Sequence, residues 1–285
     1  MKAKVLIPTG ALGITYCKKT LNKSLREKPN IIVVDGGSTD SGPAYLGKGK
    51  SKYSRSTTKS EWKTLMIARE KLKIPLLIGS AGTCGTDGTV DWFVEITKEL
   101  AKELNQKIKI VVLKCSQSNK KINKAFLKKK LFPLNNAPKI SSKKILNCTN
   151  IVGLAGVEQI TEALNTKADI IICGRSTDAS LIASLPILKG VEKGIAWHGG
   201  KIGECGAFCT TNPKSGVILI SFPSTRSKLN ISKSILRDFF PNGPSIFNTL
   251  PDKTALTFSG IEIFILPILD IKIPYKLFLR LFCSF

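Results

Sequence analysis

Two carboxylates, Asp35 and Asp40, bracket the glycine- and hydroxyl-rich part of the segment IIVVDGGSTDSGPAYLGKG, residues 31–49. Aspartates on such a loop can move protons or hold a cation, and hard oxygen ligands suit magnesium or manganese. A divalent site would need a third carboxylate from another loop, with Asp87 the candidate. A calcium EF-hand starting at Asp35 fails, because its twelfth position is Leu46 where a bidentate acid is required. The plainer alternative is that both carboxylates accept N–H bonds from their own loop.

Four further loops carry residues of the same kinds. GSAGTCGTDG, 79–88, holds four glycines in ten residues. Its backbone could approach an anion at a helix N-terminus, with Ser80 and Gly82 as contacts. It is neither a Walker A loop nor a dinucleotide fingerprint. Asp87 and Asp91 there read as catalytic acids or as charges that favour the start of a helix. GRSTDAS, 174–180, offers Arg175 as a clamp for a carboxylate or phosphate, flanked by Ser176 and Asp178. PTGALG, 8–13, adds Thr9 and Gly10, and the first loop adds Gly36, Gly37 and Ser38. AWHGGKIGECGAFC, 196–209, contains the only histidine, His198, a proton-transfer candidate by its near-neutral pKa and equally readable as a structural residue beside Trp197. The spacing from His198 to Cys205 and Cys209 matches no common zinc site. Nothing beside Cys205 would lower its thiol pKa.

The elements that must position these residues repeat one rhythm. AKVLI, NIIVVD, IPLLIG, IKIVVLK, NCTNIVGLAG and ADIIICG are short apolar runs, each followed by a polar loop. Amphipathic stretches at 58–73, 89–106 and 156–167 read as helices between them. This alternation predicts an α/β fold: a mostly parallel, open, Rossmann-like sheet with helices on both faces. In such a sheet the loops after the strands all leave from the carboxyl edge, where ligands bind. The return connections, such as REKPN and KLKIP, are short and charged. A faint repeat also links IVVDGGSTDS at 32–41 with IIICGRSTDAS at 170–180; capping of the following helix would account for the Ser-Thr-Asp of the second copy.

Composition narrows the classes. At 285 residues, 42% hydrophobic and 22% charged, the chain is an ordinary globular one. Its net charge of +24 comes from 37 lysines against 7 arginines, mostly scattered along helix faces, so specific nucleic-acid recognition is not expected. The densest cluster, NKKINKAFLKKK at 119–130, reads as one basic surface helix. No apolar run reaches the ~18 residues of a membrane span, and the first residues do not read as a signal peptide. Eight cysteines without a C-x-x-C pair read as reduced thiols of a cytoplasmic protein.

Taken in order, PTGALG, DGGSTDSGPAYLGKG, IPLLIGSAGTCG, GRSTDAS and AWHGGKIGECGA resemble the acyclic terpene utilisation family, in its AtuA-type N-terminal domain, from about Lys4 to about Ile220. The resemblance implies a bacterial protein of small-molecule catabolism, encoded near genes for acyl-CoA and terpenoid breakdown. It brings no reaction and no catalytic set. The division expected is an α/β domain over 1–221 and a divergent tail over 222–285, where nine of thirteen phenylalanines but two of 23 glycines fall. That tail reads as a truncated or frameshifted remainder.

The expectation is an enzyme, a hydratase or other lyase or an isomerase, acting on a carboxylate or acyl-CoA by acid/base chemistry. Asp35, Asp40, Asp87 and His198 would move protons or ligate a metal. Thr9, Gly10, Gly36, Gly37, Ser38, Ser80, Gly82, Arg175, Ser176 and Asp178 would hold a small anionic metabolite. The alternative is a non-catalytic metabolite-binding subunit of a larger complex. A partner subunit or a homo-oligomer fits either reading.

Overall fold

The computed structural model describes residues 2–37, 43–209, 217–222 and 230–231. Its elements alternate as the pattern predicts. β1 (Ala3–Ile7), α1 (Lys18–Leu25), β2 (Ile31–Asp35), α2 (Pro43–Lys48), α3 (Arg55–Leu72) and β3 (Leu76–Gly79) come first. α4 (Asp87–Glu103), β4 (Ile110–Leu113), α5 (Asn119–Leu127), α6 (Ser142–Leu146), α7 (Val157–Asn165) and β5 (Ile170–Cys173) follow. α8 (Asp178–Leu188), α9 (Lys193–Gly203), a 3-10 turn (Gly206–Cys209), β6 (Ile218–Phe222) and β7 (Asn230–Ile231) complete the described chain.

The strands form one seven-stranded sheet in the order β4-β5-β3-β2-β1-β6-β7. β1 to β5 are mutually parallel where they pair, and β6 and β7 add an antiparallel margin beyond β1. β2, β3 and β5 are buried at every position, so both their faces are covered and the uninterrupted Ile/Val/Leu runs are explained.

Alternate residues feed two cores. Val5, Ile7, Val33 and Ile171 pack with α7, α8 and α9 on one face. Leu6, Ile32, Val34 and Ile78 pack with α1, α3 and α4 on the other. The second core is anchored by Trp62 and Phe93, edge to face at 4.8 Å, with the indole N–H donating to Thr97 Oγ1 at 3.0 Å. α8 (DASLIASLPIL) is apolar nearly all round, and it is buried almost throughout.

One segment departs from expectation. NCTNIVGLAG forms no strand; it makes only isolated bridges, Ser116 to Val152 and Ala155 to Ser176. Both edges of β5 are already taken by β3 and β4. Cys148 and Ile151 instead close a small separate core with Ile122 of α5 and Ile145 of α6. The reduced-thiol expectation holds at six cysteines, Cys17, Cys84, Cys115, Cys173, Cys205 and Cys209, and not at Cys148, which is disulfide-bonded.

Among the described residues no helix is long and apolar enough to cross a membrane. The tail expected over 222–285 lies outside the described residues, apart from Phe222 and the two residues of β7.

Candidate functional site at the carboxyl edge

β2 and β3 end in register, with Asp35 opposite Gly79. Gly36 N–H donates to the Gly79 carbonyl at 2.7 Å, and Ser80 N–H to the Gly174 carbonyl at 2.9 Å. Leu12 N–H donates to the Asp35 carbonyl at 2.8 Å. The loops after β1, β2, β3 and β5 are therefore stitched together backbone to backbone, and the convergence expected of a parallel sheet is present.

At the centre lies Asp35, 5% exposed, whose Oδ1 has no hydrogen-bond partner among the described residues. Burial, and then the neighbouring Asp178 carboxylate, push its carboxyl well above the usual range; Arg175 and the Gly36 and Gly37 amides oppose this only in part.

Arg175 is 4% exposed. Its Nη1 donates to the Thr83 carbonyl at 3.1 Å, and its Nη2 to the Ser176 carbonyl and Asp178 Oδ1, both at 3.4 Å. Nε has no acceptor, and the Ser176 and Thr177 hydroxyls beside it have no partner among the described residues. Buried donors without acceptors are rare, and here three of them fall on consecutive residues, Arg175 to Thr177.

The β3 loop reaches this geometry under strain. Ser80 and Thr83 adopt positive φ, 46° and 72°, which costs about 1–3 kcal/mol per non-glycine residue. At Gly85, also at positive φ, a Cβ would lie 2.2 Å from the Arg175 backbone nitrogen, so glycine is what lets the two loops touch.

The other expected residues divide. Thr9 is buried and donates to the Ala11 carbonyl at 3.2 Å, and Gly10 lies directly against the Cys205 backbone. Gly37 packs on Thr83, Gly82 on Thr89, and Ser80 Oγ reaches the Ser176 carbonyl at 3.5 Å. Asp87 opens α4 and fastens it to the loop after β4: its Oδ1 accepts from Cys115 N–H at 3.0 Å and Ser116 N–H at 2.9 Å. That is a structural tie on the flank of the cluster. His198 sits on α9, two residues before Gly200 packs on Ala179 of α8, and burial lowers its pKa so that the neutral imidazole prevails. Ser38 and Asp40 lie outside the described residues. Among the described residues no three His, Cys, Asp or Glu side chains form a metal-binding group. The positive charge between Asp35 and Asp178 is a guanidinium.

Two residues escaped the sequence reading. Lys201 of α9 lies within electrostatic reach of Asp178. Tyr53, between α2 and α3, lies within electrostatic range of Asp35, with its ring against Gly13. Tyr53 carries no signal of its own in the sequence, because it follows no strand.

No curated protein and no solved structure matches this chain. The family profile described as acyclic terpene utilisation family protein AtuA matches residues 48–218, from the end of α2 into β6. It covers the Ser80–Gly85 loop, Asp87, Arg175, Asp178 and His198, and it begins after Asp35. With more than half of its length matched, the chain belongs to the acyclic terpene utilisation family.

Proposed function

We propose that the carboxyl edge is the active site of an enzyme acting on a small carboxylate or its CoA thioester by acid/base chemistry: hydration, dehydration or isomerisation. The observation that carries this is Asp35, a buried carboxyl with a raised pKa and an unpartnered oxygen, beside a buried guanidinium with an unpartnered Nε. Such an Asp35 keeps its proton to higher pH than a free carboxyl and in that form can donate to a substrate carbonyl or a departing hydroxyl. Asp178, ion-paired with Arg175 at 3.4 Å, is the neighbouring base. A neutral His198 serves as a second base if the substrate reaches α9. Arg175 and the Ser176 hydroxyl bind the substrate's anionic group. Asp40 would join the proton transfer from the first loop. Membership of the acyclic terpene utilisation family supports a branched, terpenoid-derived acid as the substrate.

A second reading is a metabolite-binding subunit whose chemistry belongs to a partner. It is favoured by the many polar groups already committed to backbone partners, Asp87 above all. One experiment separates the two. Short branched acyl-CoAs and free acids are incubated with the chain in deuterated water and followed by mass spectrometry for binding and deuterium uptake. Uptake that Asp35→Asn abolishes while affinity persists supports the enzyme. Binding without uptake leaves the subunit reading, and no binding removes both.

A further inference from the structure

From Leu104 to Val157 the chain has twelve lysines and no aspartate, glutamate or arginine. Nine of the lysines lie between Lys120 and Lys144, and all nine are exposed. Elsewhere the two signs are interleaved: Lys59 and Lys63 of α3 and Lys98 of α4 each meet a glutamate. Lys120, Lys121, Lys124, Lys128, Lys129 and Lys130 have no ion-pair partner among the described residues. Helix energetics do not account for the cluster. Cations suit the last turn of a helix, as at Lys124, but Lys120 and Lys121 stand in the first turn of α5, where the dipole disfavours them.

One small body carries these charges. Ile122 of α5 and Ile145 of α6 share its core with Cys148 and Ile151, and Phe126 and Leu131 pack against them. Asn119 Nδ2 donates to the Leu146 and Cys148 carbonyls at 3.0 and 2.7 Å, so the start of α5 meets the end of α6. α5 ends in a fixed cap: Lys129 is left-handed, with φ 52°, its N–H donates to the Phe126 carbonyl, and Lys130 N–H donates to the Ala125 carbonyl, both at 2.9 Å. The cap holds three consecutive lysines next to Leu127, which is 67% exposed. Leu134 and Leu146 are exposed as well. The body is fastened to the carboxyl edge, where Gln117 N–H donates to the Ile151 carbonyl at 2.8 Å and Gly153 N–H to the Cys115 carbonyl at 2.7 Å.

We propose that this α5–α6 surface docks the protein on an anionic lipid bilayer, a property independent of the active-site reading. Charge complementarity calls for a partner rich in negative charge, and two features choose among such partners. The cations are all lysines, point charges that attract phosphate without the planar fork that reads base edges. Exposed leucines stand among them, and a phosphate backbone offers leucine nothing. A bilayer surface takes both, ammonium groups at the level of the headgroup phosphates and leucines at the acyl boundary. The attachment is peripheral, since no described helix is long and apolar enough to cross a membrane.

The test is co-sedimentation of the full chain with vesicles of phosphatidylcholine containing phosphatidylglycerol, against vesicles of phosphatidylcholine alone. The wild type should bind the charged vesicles and not the neutral ones. Raising salt from about 0.1 M to about 1 M, which shortens the Debye length from about 10 Å to about 3 Å, should release it. At about fivefold per lysine, Lys128→Gln, Lys129→Gln and Lys130→Gln together should weaken binding about a hundredfold, and Lys120→Gln with Lys121→Gln about twenty-fivefold. Lys19→Gln, Lys23→Gln and Lys28→Gln remove the same charge as the first set from α1 and the turn after it, and should change binding by less than about threefold. Leu127→Ser with Leu134→Ser should weaken vesicle binding about tenfold and leave affinity for a DNA duplex unchanged. Four results would each overturn the inference: no binding to charged vesicles, equal binding to neutral ones, α5 lysine variants no weaker than the α1 set, or full vesicle affinity in the leucine variant. A duplex bound more tightly than the charged vesicles would overturn it too, and would make the surface one for nucleic acid.

Discussion

Two buried arginines stand at opposite edges of the sheet. Arg69, 3% exposed, closes the amino edge: it donates to Glu70 and Asp169 carboxylates at 2.7 Å each and to the Ile74 carbonyl at 3.0 Å, so Nε, Nη1 and Nη2 all have acceptors. Arg175, 4% exposed, closes the carboxyl edge with longer bonds and an idle Nε. The same side chain at the same burial is saturated in one place and under-committed in the other. Burial of a charge normally demands full pairing. The incomplete pairing of Arg175 is the observation on which the proposal of a ligand at this edge rests.

The backbone repeats the contrast. At the amino edge, left-handed residues are Lys28, Lys73, Asn105 and Lys167, which end helices in the usual way. At the carboxyl edge they include Thr15, Ser80 and Thr83, inside the loops that surround Asp35. For a β-branched residue that conformation is strained, and strain of this kind persists where surrounding contacts hold it.

The sharpest way to break the comparison is to remove each arginine in turn. Arg69→Met should cost about 2–4 kcal/mol of stability, since it strands two partly buried carboxylates, and should leave ligand binding unchanged. Arg175→Met should cost less stability, about 1 kcal/mol, and lower affinity for an anionic ligand by about ten- to a hundredfold. Chemical denaturation and calorimetry read both. Matching stability losses with no binding defect would make the two arginines equivalent. Asp87→Ala tests the flank: loss of the acceptor for two N–H groups should cost about 1–2 kcal/mol. Binding should fall only as far as the loop after β4 loosens. A much larger loss of binding or turnover would move Asp87 from the structural tie into the site.

Much of this was legible in the chain. Ile31–Val34 and Ile170–Ile172 fit strands covered on both faces, and parallel strands force the glycine-rich loops to one edge. Asp35 and Arg175 were visible because each ends or follows such a strand. Tyr53 was not, since only the absence of a side chain at Gly13, far away in sequence, gives its ring a place. Arg69 reads as a surface charge in an amphipathic pattern, and its burial depends on Asp169 arriving from the turn before β5. The NCTNIVGLAG run has strand composition but no free strand edge beside β5, and pairing of that kind is a tertiary fact.

The central claim is that Asp35 is a buried, protonated donor, and its most direct test compares the melting temperature of the wild type with that of Asp35→Asn across pH. A carboxyl whose folded pKa is raised contributes its stability below the unfolded value of about 3.9 and loses it as pH climbs through the folded value. The Asn variant, which cannot ionise, should therefore gain stability relative to the wild type as pH rises through that window. Parallel curves, or a wild type that gains on the variant with rising pH, would show an ionised, well-paired Asp35 and would contradict the account.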